Sequence, residues 1–181
     1  MDAIIHIHSP LDEMTARSLS AGQQVLLSGT IYTARDAAHK RLYTLLREQR
    51  PLPIDLGGQT LYYTGPSPAK PGQVIGSAGP TTSSRMDPYT PLLIAAAGLR
   101  LMIGKGNRNT HVIEAMTKYG AVYCAATGGA GALLAKTIRT AEIVCYEDLG
   151  PEAIYKLSVE RMPLIVAIDC RGGSLYQFEK E

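Results

Sequence analysis

Six short apolar runs recur along the chain, and in its second half they alternate with segments of helical periodicity. Runs of this length and composition predict β-strands, and rapid alternation of strand and helix favours a parallel or mixed sheet. The sequence therefore predicts the α/β class, with layered sheets and helices favoured over a barrel. The predicted strands are 24–28, 60–64, 101–104, 121–125, 142–146 and 164–169, and the predicted helices are 34–48, 91–97, 111–119, 130–138 and 152–157.

The length and charge of the chain are those of an ordinary globular domain. Its 181 residues suffice for one full core, and the 45% hydrophobic content supplies one. The formal net charge is +2 and no basic run is present, which argues against a nucleic-acid or membrane-surface protein. No apolar stretch approaches the ~18 residues that span a bilayer, and the first residues do not resemble a signal peptide. We therefore expect one domain over residues 1–181 and a cytoplasmic location.

The three cysteines do not predict a metal centre. Cys124, Cys145 and Cys170 lie 21 and 25 positions apart, and each is in or beside an apolar run. Small buried residues have this environment, whereas iron–sulfur ligands commonly include closely spaced cysteines. We therefore do not expect a metal or iron–sulfur site built from this chain alone.

The segment 79–87 reads Gly-Pro-Thr-Thr-Ser-Ser-Arg-Met-Asp, with four hydroxyl side chains in a row. Glycine and proline predict a turn, and the hydroxyl groups need hydrogen-bond partners if they are buried. A polar turn that ends in the guanidinium of Arg85 is suited to binding a small anion. A solvated loop is the alternative for this segment taken alone.

A second candidate anion site lies at the start of the predicted helix 34–48. Thr33 and Asp36 fit a capping pattern with Thr33 as the N-cap, which places Arg35 in the first helical turn. The helix dipole disfavours a cation there unless an anion binds to the guanidinium and the free backbone N–H groups. His39 lies four residues later on the same face. An exposed arginine that tolerates the dipole is the alternative.

Two glycine-rich turns are candidates for a phosphate or nucleotide site, and both lack the required spacing. Lys105 lies between two glycines, yet the GxxxxGK[ST] pattern is absent. In the turn 127–132, Leu134 stands where the third glycine of a dinucleotide-binding turn belongs. The backbone around Lys105 can still approach a ligand closely. The glycines of 127–132 favour tight packing or close approach to a partner.

Four segments carry a more specific signal than any single motif. They are Ser-Gly-Thr-Ile-Tyr-Thr-Ala-Arg-Asp-Ala-Ala-His over 28–39, Ile-Gly-Ser-Ala-Gly-Pro-Thr-Thr-Ser-Ser-Arg-Met-Asp over 75–87, Met-Ile-Gly-Lys-Gly-Asn over 102–107 and Tyr-Glu-Asp-Leu-Gly-Pro-Glu-Ala-Ile over 146–154. Together they resemble the β-type region of class I, iron–sulfur fumarate hydratases, a group that includes the L-tartrate dehydratase β subunit. The resemblance runs from about residue 10 to the C-terminus.

The resemblance implies a single swivelling three-layer β/β/α domain that works within a larger assembly. In this family the β-type region is either the C-terminal half of a long chain or a separate subunit. The α region carries the three cysteines that hold a [4Fe–4S] cluster. The resemblance thus implies a hydro-lyase that is active only with its α subunit, as an α2β2 assembly, in which this chain binds no cluster.

The resemblance also implies roles for individual residues at a site for a C4 dicarboxylate. Thr81 corresponds to the suggested catalytic base, and His39 is expected to support the site. A threonine is a weak base, so its alkoxide would need neighbouring cations. Arginines supply planar clamps for carboxylates and a lysine supplies a point charge, which suits such a substrate. The expected substrate-binding residues are Arg35, Thr82, Arg85 and Lys105.

The leading hypothesis from the sequence is the β subunit of a fumarate hydratase, which reversibly hydrates fumarate to L-malate in the tricarboxylic acid cycle. The alternative within the family is the β subunit of L-tartrate dehydratase, which converts L-tartrate to oxaloacetate; mesaconate is a further candidate substrate. A stand-alone module that binds an anionic metabolite or nucleotide is the hypothesis from another class. The last hypothesis is a purely structural partner protein that contributes no residues to a site.

Overall fold

The computed structural model describes residues 3–126 and 131–176 of the chain. None of the helices in these ranges is both long enough and apolar enough to cross a membrane. The strands are β1 Ile5–Ser9, β2 Gln24–Thr33, β3 Thr60–Tyr62, β4 Leu101–Gly104, β5 Val122–Ala126, β6 Ile138–Cys145 and β7 Ile154–Ile168. The α-helices are α1 Glu13–Ser18, α2 Asp36–Arg47, α3 Thr90–Ala97, α4 Thr110–Tyr119 and α5 Gly131–Ala135, and Ser83–Met86 and Glu147–Glu152 form 3-10 turns.

Parallel pairing organises the first five strands, which lie in the order β1-β2-β3-β4-β5. β7 runs antiparallel to β5 and also pairs with β2, so β2, β3, β4, β5 and β7 close into a ring. β6 pairs antiparallel with β7. These pairings confirm the α/β class and the mixed sheet. The closed, barrel-like ring differs from the layered arrangement that the sequence favours.

The length of β7 explains both the closure and a wrong prediction. β7 has 15 residues and pairs with β2 along most of its length, with β6 near its start and with β5 near its end. The sequence predicts a helix over 152–157, but the chain from Ile154 onward is strand. Ile154, Leu157 and Val159 are buried there, and Leu157 lies between Ile31 of β2 and Ala141 of β6. Tertiary pairing therefore overrides the short helical pattern.

Most other predicted elements differ from the structure only at their ends. β4 has the predicted bounds, whereas β2 extends five residues further and β6 begins at Ile138 rather than at residue 142. α5 covers only Gly131–Ala135 of the predicted helix 130–138, and residue 130 lies outside the described residues. α1 was not predicted; its N-cap Asp12 accepts a hydrogen bond of 2.6 Å from the Thr15 backbone.

Alternating side chains divide the buried residues into two cores. Tyr62 of β3 and Ile103 of β4 belong to a core formed mainly by the strands of the ring. Their neighbours Tyr63 and Met102 belong to a second core, which is shared with α2, α3 and α4. A parallel sheet with both faces buried has this pattern of near-continuous apolar strands. The helices therefore cover one face of the parallel strands.

α2 buries His39 in the second core. The His39 side chain is fully buried, and its ring centroid lies 5.1 Å from that of Tyr63 and 6.3 Å from that of Tyr89. Nδ1–H donates to the carbonyl oxygen of Arg35 over 2.8 Å, and Nε2 makes no hydrogen bond to any described residue. Burial lowers the pKa of His39 to about 4, although the hydrogen bond with Arg35 opposes this effect. The buried imidazole is therefore neutral near pH 7.

We predict that His39 makes the folded state less stable in mild acid. The pKa is about 4 in the folded state against 6.5 for an unperturbed histidine. As the pH falls through this window the unfolded chain takes up a proton that the folded chain does not, so stability falls. Between about pH 7 and about pH 4, the free energy of unfolding should therefore fall by about 3 kcal/mol less in His39→Gln than in the wild type. Urea unfolding at each pH measures the difference.

The matched control is His111→Gln, because the His111 side chain is 82% exposed. This variant should follow the pH dependence of the wild type. If the free energy of unfolding fell equally with pH in His39→Gln and His111→Gln, the acid sensitivity would not come from the buried imidazole.

Candidate active site

The carboxyl ends of β2, β3 and β4 lie side by side and place two of the predicted site residues at one edge of the sheet. Beyond the strands, the Ala34 backbone donates to Tyr62 over 3.1 Å, and the Tyr63 backbone donates to Ile103 over 2.8 Å. Arg35 therefore follows the end of β2, and Lys105 follows the end of β4. Parallel pairing brings these residues to the same edge although they are 70 positions apart in the chain.

The segment 79–87 crosses this edge and is held to it by backbone hydrogen bonds. The Thr81 N–H donates to the Tyr63 carbonyl over 2.6 Å, and the Ser83 N–H donates to the Lys105 carbonyl over 2.9 Å. Thr82 and Lys105 form an isolated parallel bridge. Further back, the Thr64 hydroxyl donates to Gly79 over 2.7 Å. Thr81 and Thr82 thus lie beside the ends of β3 and β4, next to Lys105.

A glycine is required where this segment meets β4. A Cβ atom at Gly104 would overlap with the Ser83 hydroxyl. That hydroxyl lies 2.9 Å from the Tyr123 hydroxyl, which donates to the Gly106 carbonyl over 2.8 Å. Burial raises the pKa of Tyr123, so the phenol remains a neutral donor. Ser83 and Tyr123 therefore fasten the 79–87 segment to the loop that carries Lys105.

A buried ion pair supports the same junction from the helix side. Arg108 Nε donates to Asp87 Oδ1 over 2.6 Å, and the Asn109 N–H donates to Asp87 Oδ2 over 2.8 Å. The Arg108 guanidinium lies 5.2 Å from the Tyr63 ring centroid and 5.0 Å from that of Tyr123. Sequence reasoning missed this pair, because nothing local distinguishes Arg108 from a surface arginine.

The 3-10 turn Ser83–Met86 directs Arg85 toward the start of α2. Arg85 Nε donates to Asp36 Oδ1 over 2.8 Å. Asp36 Oδ2 lies 3.9 Å from Arg35 Nε, which also lies 3.3 Å from Glu152 Oε1. Arg35 and Arg85 therefore flank a single carboxylate. Sequence reasoning treated Asp36 only as part of a helix cap and left Glu152 without a role, although Glu152 lies in the family-like segment 146–154.

The predicted capping pattern at α2 is wrong. Arg35 itself is the N-cap, and Asp36 is the first helical residue. The Thr33 hydroxyl instead donates to the Ala153 carbonyl over 3.4 Å and accepts from the Tyr155 N–H over 3.1 Å. Thr33 belongs to β2, and its hydroxyl is used to tie β2 to the start of β7.

The candidate residues fall into two groups by exposure. His39 is buried behind Arg35 and contacts its backbone, so it is a neighbour of the edge and not part of its surface. Arg35 is a quarter exposed, whereas the side chain of Arg85 is 52% exposed. Within the described residues, the terminal nitrogens of both arginines make no hydrogen bond. The edge thus presents cations and hydroxyl groups suited to binding carboxylates.

Two cavities lie away from this edge in the described part of the chain. One of about 470 Å³ is lined by Lys70, Val74 and Lys136 among others, and one of about 520 Å³ lies between α2 and the Glu147–Glu152 turn. The candidate residues line neither cavity. The exposed edge differs from both cavities in that the segments carrying Arg35, Thr81, Arg85 and Lys105 meet there. The predicted turn 127–132 lies mostly outside the described residues, although Gly131 packs closely against Gly79.

The described residues do not fit an iron–sulfur cluster. They contain no group of three or more His, Cys, Asp or Glu side chains placed to hold a metal ion. Cys124 is buried in the core of the ring, where burial raises its pKa to about 12. Cys145 follows in β6, and Cys170 lies buried just after β7. A thiol with a raised pKa is a poor metal ligand, because the thiolate is the binding form.

Comparison with known proteins identifies the family of the chain. The family model described as "Fumarase C-terminus" matches residues 2–179. The chain is 36% identical over 176 residues to "Fumarate hydratase class I, anaerobic" of Escherichia coli strain K12, covering 96% of this chain and 32% of that protein. It is 39% identical over 152 residues to "Fumarate hydratase 1, mitochondrial" of Leishmania major, covering 83% and 28%. The chain therefore spans about a third of the length of these fumarate hydratases.

A relative of nearly the same length comes from Methanocaldococcus jannaschii. This protein is provisionally named L(+)-tartrate dehydratase subunit beta, and the chain is 38% identical to it over 172 residues, covering 92% of this chain and 88% of the relative. The family model covers residues 2–179, and the relatives align with most of the same residues. The chain belongs to the Fumarase C-terminus family, together with class I fumarate hydratases and the tartrate dehydratase β subunit.

Proposed function

We propose that this chain is the β-type part of an iron–sulfur-dependent hydro-lyase, a fumarate hydratase that interconverts fumarate and L-malate. The observation that carries the proposal is the meeting of three separate segments at one edge of the sheet, which brings Arg35, Thr81, Arg85 and Lys105 to the same side. Positive groups that converge on an exposed edge favour a substrate with more than one carboxylate.

In the proposed reaction, the two arginines and Lys105 bind and orient the dicarboxylate. A guanidinium can hold a carboxylate through two parallel N–H bonds, whereas the lysine supplies a mobile point charge. The terminal nitrogens of Arg35 and Arg85 are not engaged by other described residues. Holding the substrate in a reactive orientation lowers the barrier by avoiding later loss of rotational freedom. Thr82, beside Lys105, contacts the substrate.

Thr81 is the proposed residue for proton transfer. Dehydration of L-malate removes a proton from the carbon beside one carboxylate and hydroxide from the neighbouring carbon, and hydration restores both. The backbone of Thr81 is fixed by its bond to Tyr63, and its hydroxyl makes no hydrogen bond within the described residues. Nearby positive charge from Lys105 and Arg85 stabilises the alkoxide that such a base requires. His39 supports the site through the Arg35 backbone.

A partner α region supplies the [4Fe–4S] cluster and the rest of the site in this proposal. The cysteines of the described residues do not fit a cluster, and no step assigned to this chain passes through one. Two relatives are about three times longer than this chain, and one of nearly equal length is named as a beta subunit. We infer that the chain acts as one swivelling three-layer domain in an α2β2 assembly in the cytoplasm, and that it is active only with its partner.

L-Tartrate dehydratase is the second candidate, and the relative from Methanocaldococcus jannaschii is the observation that favours it. Tartrate carries a hydroxyl on each central carbon, and its dehydration gives oxaloacetate. Both substrates present two carboxylates, so the arginines and Lys105 suit either one. The partner region would contribute contacts that distinguish the second hydroxyl.

Substrate preference of the assembled enzyme tests the proposal. The tagged chain is purified anaerobically from its host with the proteins that bind it, and turnover of fumarate, L-malate, L-tartrate and mesaconate is compared. We expect an iron-containing partner and a kcat/KM for fumarate at least about tenfold above that for L-tartrate. A preference for L-tartrate would select the second candidate. Turnover of none, with anion binding by the isolated chain, would contradict both.

Removal of one hydroxyl group tests the role of Thr81. Thr81→Val keeps the shape of the side chain, so we expect kcat to fall about 100-fold or more with a small change in KM. Thr81→Ser keeps the hydroxyl and should retain much of the activity. The control is Thr117→Val on α4, whose hydroxyl donates to Ile113 over 3.0 Å away from the candidate residues. Equal kcat values for Thr81→Val and Thr117→Val would exclude Thr81 as the base.

A further inference from the structure

Asp36 lies between two arginines, its chain neighbour Arg35 and the distant Arg85. Its Oδ1 accepts from Arg85 Nε over 2.8 Å, and its Oδ2 lies 3.9 Å from Arg35 Nε. The Asp36 side chain is 30% exposed, so the pair is only partly screened by solvent. Two guanidinium groups near one another repel, and a carboxylate between them offsets that repulsion.

The contacts with Asp36 leave the two terminal nitrogens of each guanidinium free of hydrogen bonds to other described residues. Asp36 faces both arginines through Nε, which is the edge nearest the side-chain stem. The two terminal nitrogens, which form the fork that binds carboxylates, make no hydrogen bond within the described residues. A carboxylate that instead gripped the terminal nitrogens would compete with a substrate for the same N–H groups.

Arg35 is confined on its other sides. Glu152 Oε1 lies 3.3 Å from Arg35 Nε, and a Cβ atom at Gly65 would lie 3.0 Å from Arg35 Cδ and 3.1 Å from Nη1. The absence of a side chain at Gly65 therefore makes room for the guanidinium. The contacts with Glu152 and Gly65 restrict the directions in which Arg35 can move.

The Arg35 Nε–Asp36 Oδ2 distance of 3.9 Å is about 1 Å longer than a hydrogen bond. Arg35 Nε and Asp36 Oδ2 are both buried atoms, and neither makes a hydrogen bond within the described residues. Buried polar atoms without partners are uncommon and costly. The two atoms can satisfy one another if the guanidinium moves toward Asp36, and a carboxylate on the terminal nitrogens leaves that movement free.

We infer that Asp36 is a positioning residue that aligns both arginines for one dicarboxylate, and that its contact with Arg35 closes when the substrate binds. This inference rests on the proposed function, and it extends that function to a residue that does not itself contact the substrate. By aligning the two arginines, Asp36 strengthens binding of the substrate and of the transition state to the same degree. Its loss should therefore appear chiefly in KM.

A simpler role for Asp36 is stabilisation of α2. An acidic residue in the first turn of a helix interacts favourably with the helix dipole whatever lies around it. That role predicts a change in stability without a change in substrate affinity. The two roles therefore differ in what a charge-removing substitution does to kinetics.

The kinetic test uses the enzyme assembled with its partner. Asp36→Asn keeps the shape of the side chain and removes the charge, so KM for fumarate should rise at least about tenfold while kcat changes less than about threefold. Asp36→Glu should restore part of the affinity. The matched control is Asp148→Asn, which removes the charge from a residue that binds both terminal nitrogens of Arg41 on the same helix. It should leave KM unchanged.

An unchanged KM for Asp36→Asn would overturn the inference, as would a fall in kcat with KM unaffected. A shift in thermal unfolding without any kinetic change would assign Asp36 to the helix alone.

A second test does not depend on turnover. In enzyme assembled from ¹⁵N-labelled chain and unlabelled partner, the Arg85 Nε–Hε signal should exchange slowly with water, and Asp36→Asn should abolish that protection. Succinate is a non-reacting dicarboxylate, and it should protect the Arg35 Nε–Hε group in the wild type but not in Asp36→Asn. Protection of both arginines in the variant would overturn the role of Asp36. An assembled enzyme without hydro-lyase activity would instead overturn the proposed function and leave this measurement to decide on Asp36.

Discussion

Parallel pairing of β2, β3 and β4 determines where the candidate residues lie. Because parallel strands end at the same edge of a sheet, the residues that follow these strands meet there. Arg35 and Lys105 come from the ends of β2 and β4, and Thr81 is hydrogen-bonded to the residue that follows β3. β7 pairs with both β2 and β5, which closes the ring. The edge is therefore carried by strands that are paired on both sides.

Contacts among other residues hold the segment that carries Thr81 to the loop that carries Lys105. Ser83, Tyr123 and the Gly106 carbonyl form one hydrogen-bonded chain, and Gly104 provides the space for it. The buried Arg108–Asp87 pair lies beneath, and breaking such a pair costs about 3–5 kcal/mol. A site that binds its ligand through several cations benefits from such support, since small displacements weaken each bond.

Much of the fold class can be predicted from the sequence, whereas the candidate site residues stay predictions, one of them reached for a partly wrong reason. β4 has the predicted bounds, because an apolar run between polar turns has few alternatives. The capping pattern that draws attention to Arg35 is absent from the structure, since Arg35 is itself the N-cap. The resemblance to a family, rather than local chemistry, connected it with Arg85 and Lys105.

The features that the sequence does not predict depend on contacts between distant segments. Asp36 meets Arg85 across 49 positions, and Ser83 meets Tyr123 across 40. Ring closure requires β2 and β7 to pair, with Gln24 opposite Ile165. Short-range periodicity cannot report such pairs, and for the same reason it misread the start of β7 as a helix.

We propose that three separate segments of this chain form one half of a dicarboxylate site that a partner completes. A crystal structure of the assembled enzyme with bound succinate tests it most directly. We expect succinate within hydrogen-bond distance of Arg35, Arg85 and Lys105, between this chain and its partner. Succinate bound instead in the cavity beside Lys70 and Lys136, or contacting only one of the three segments, would contradict it.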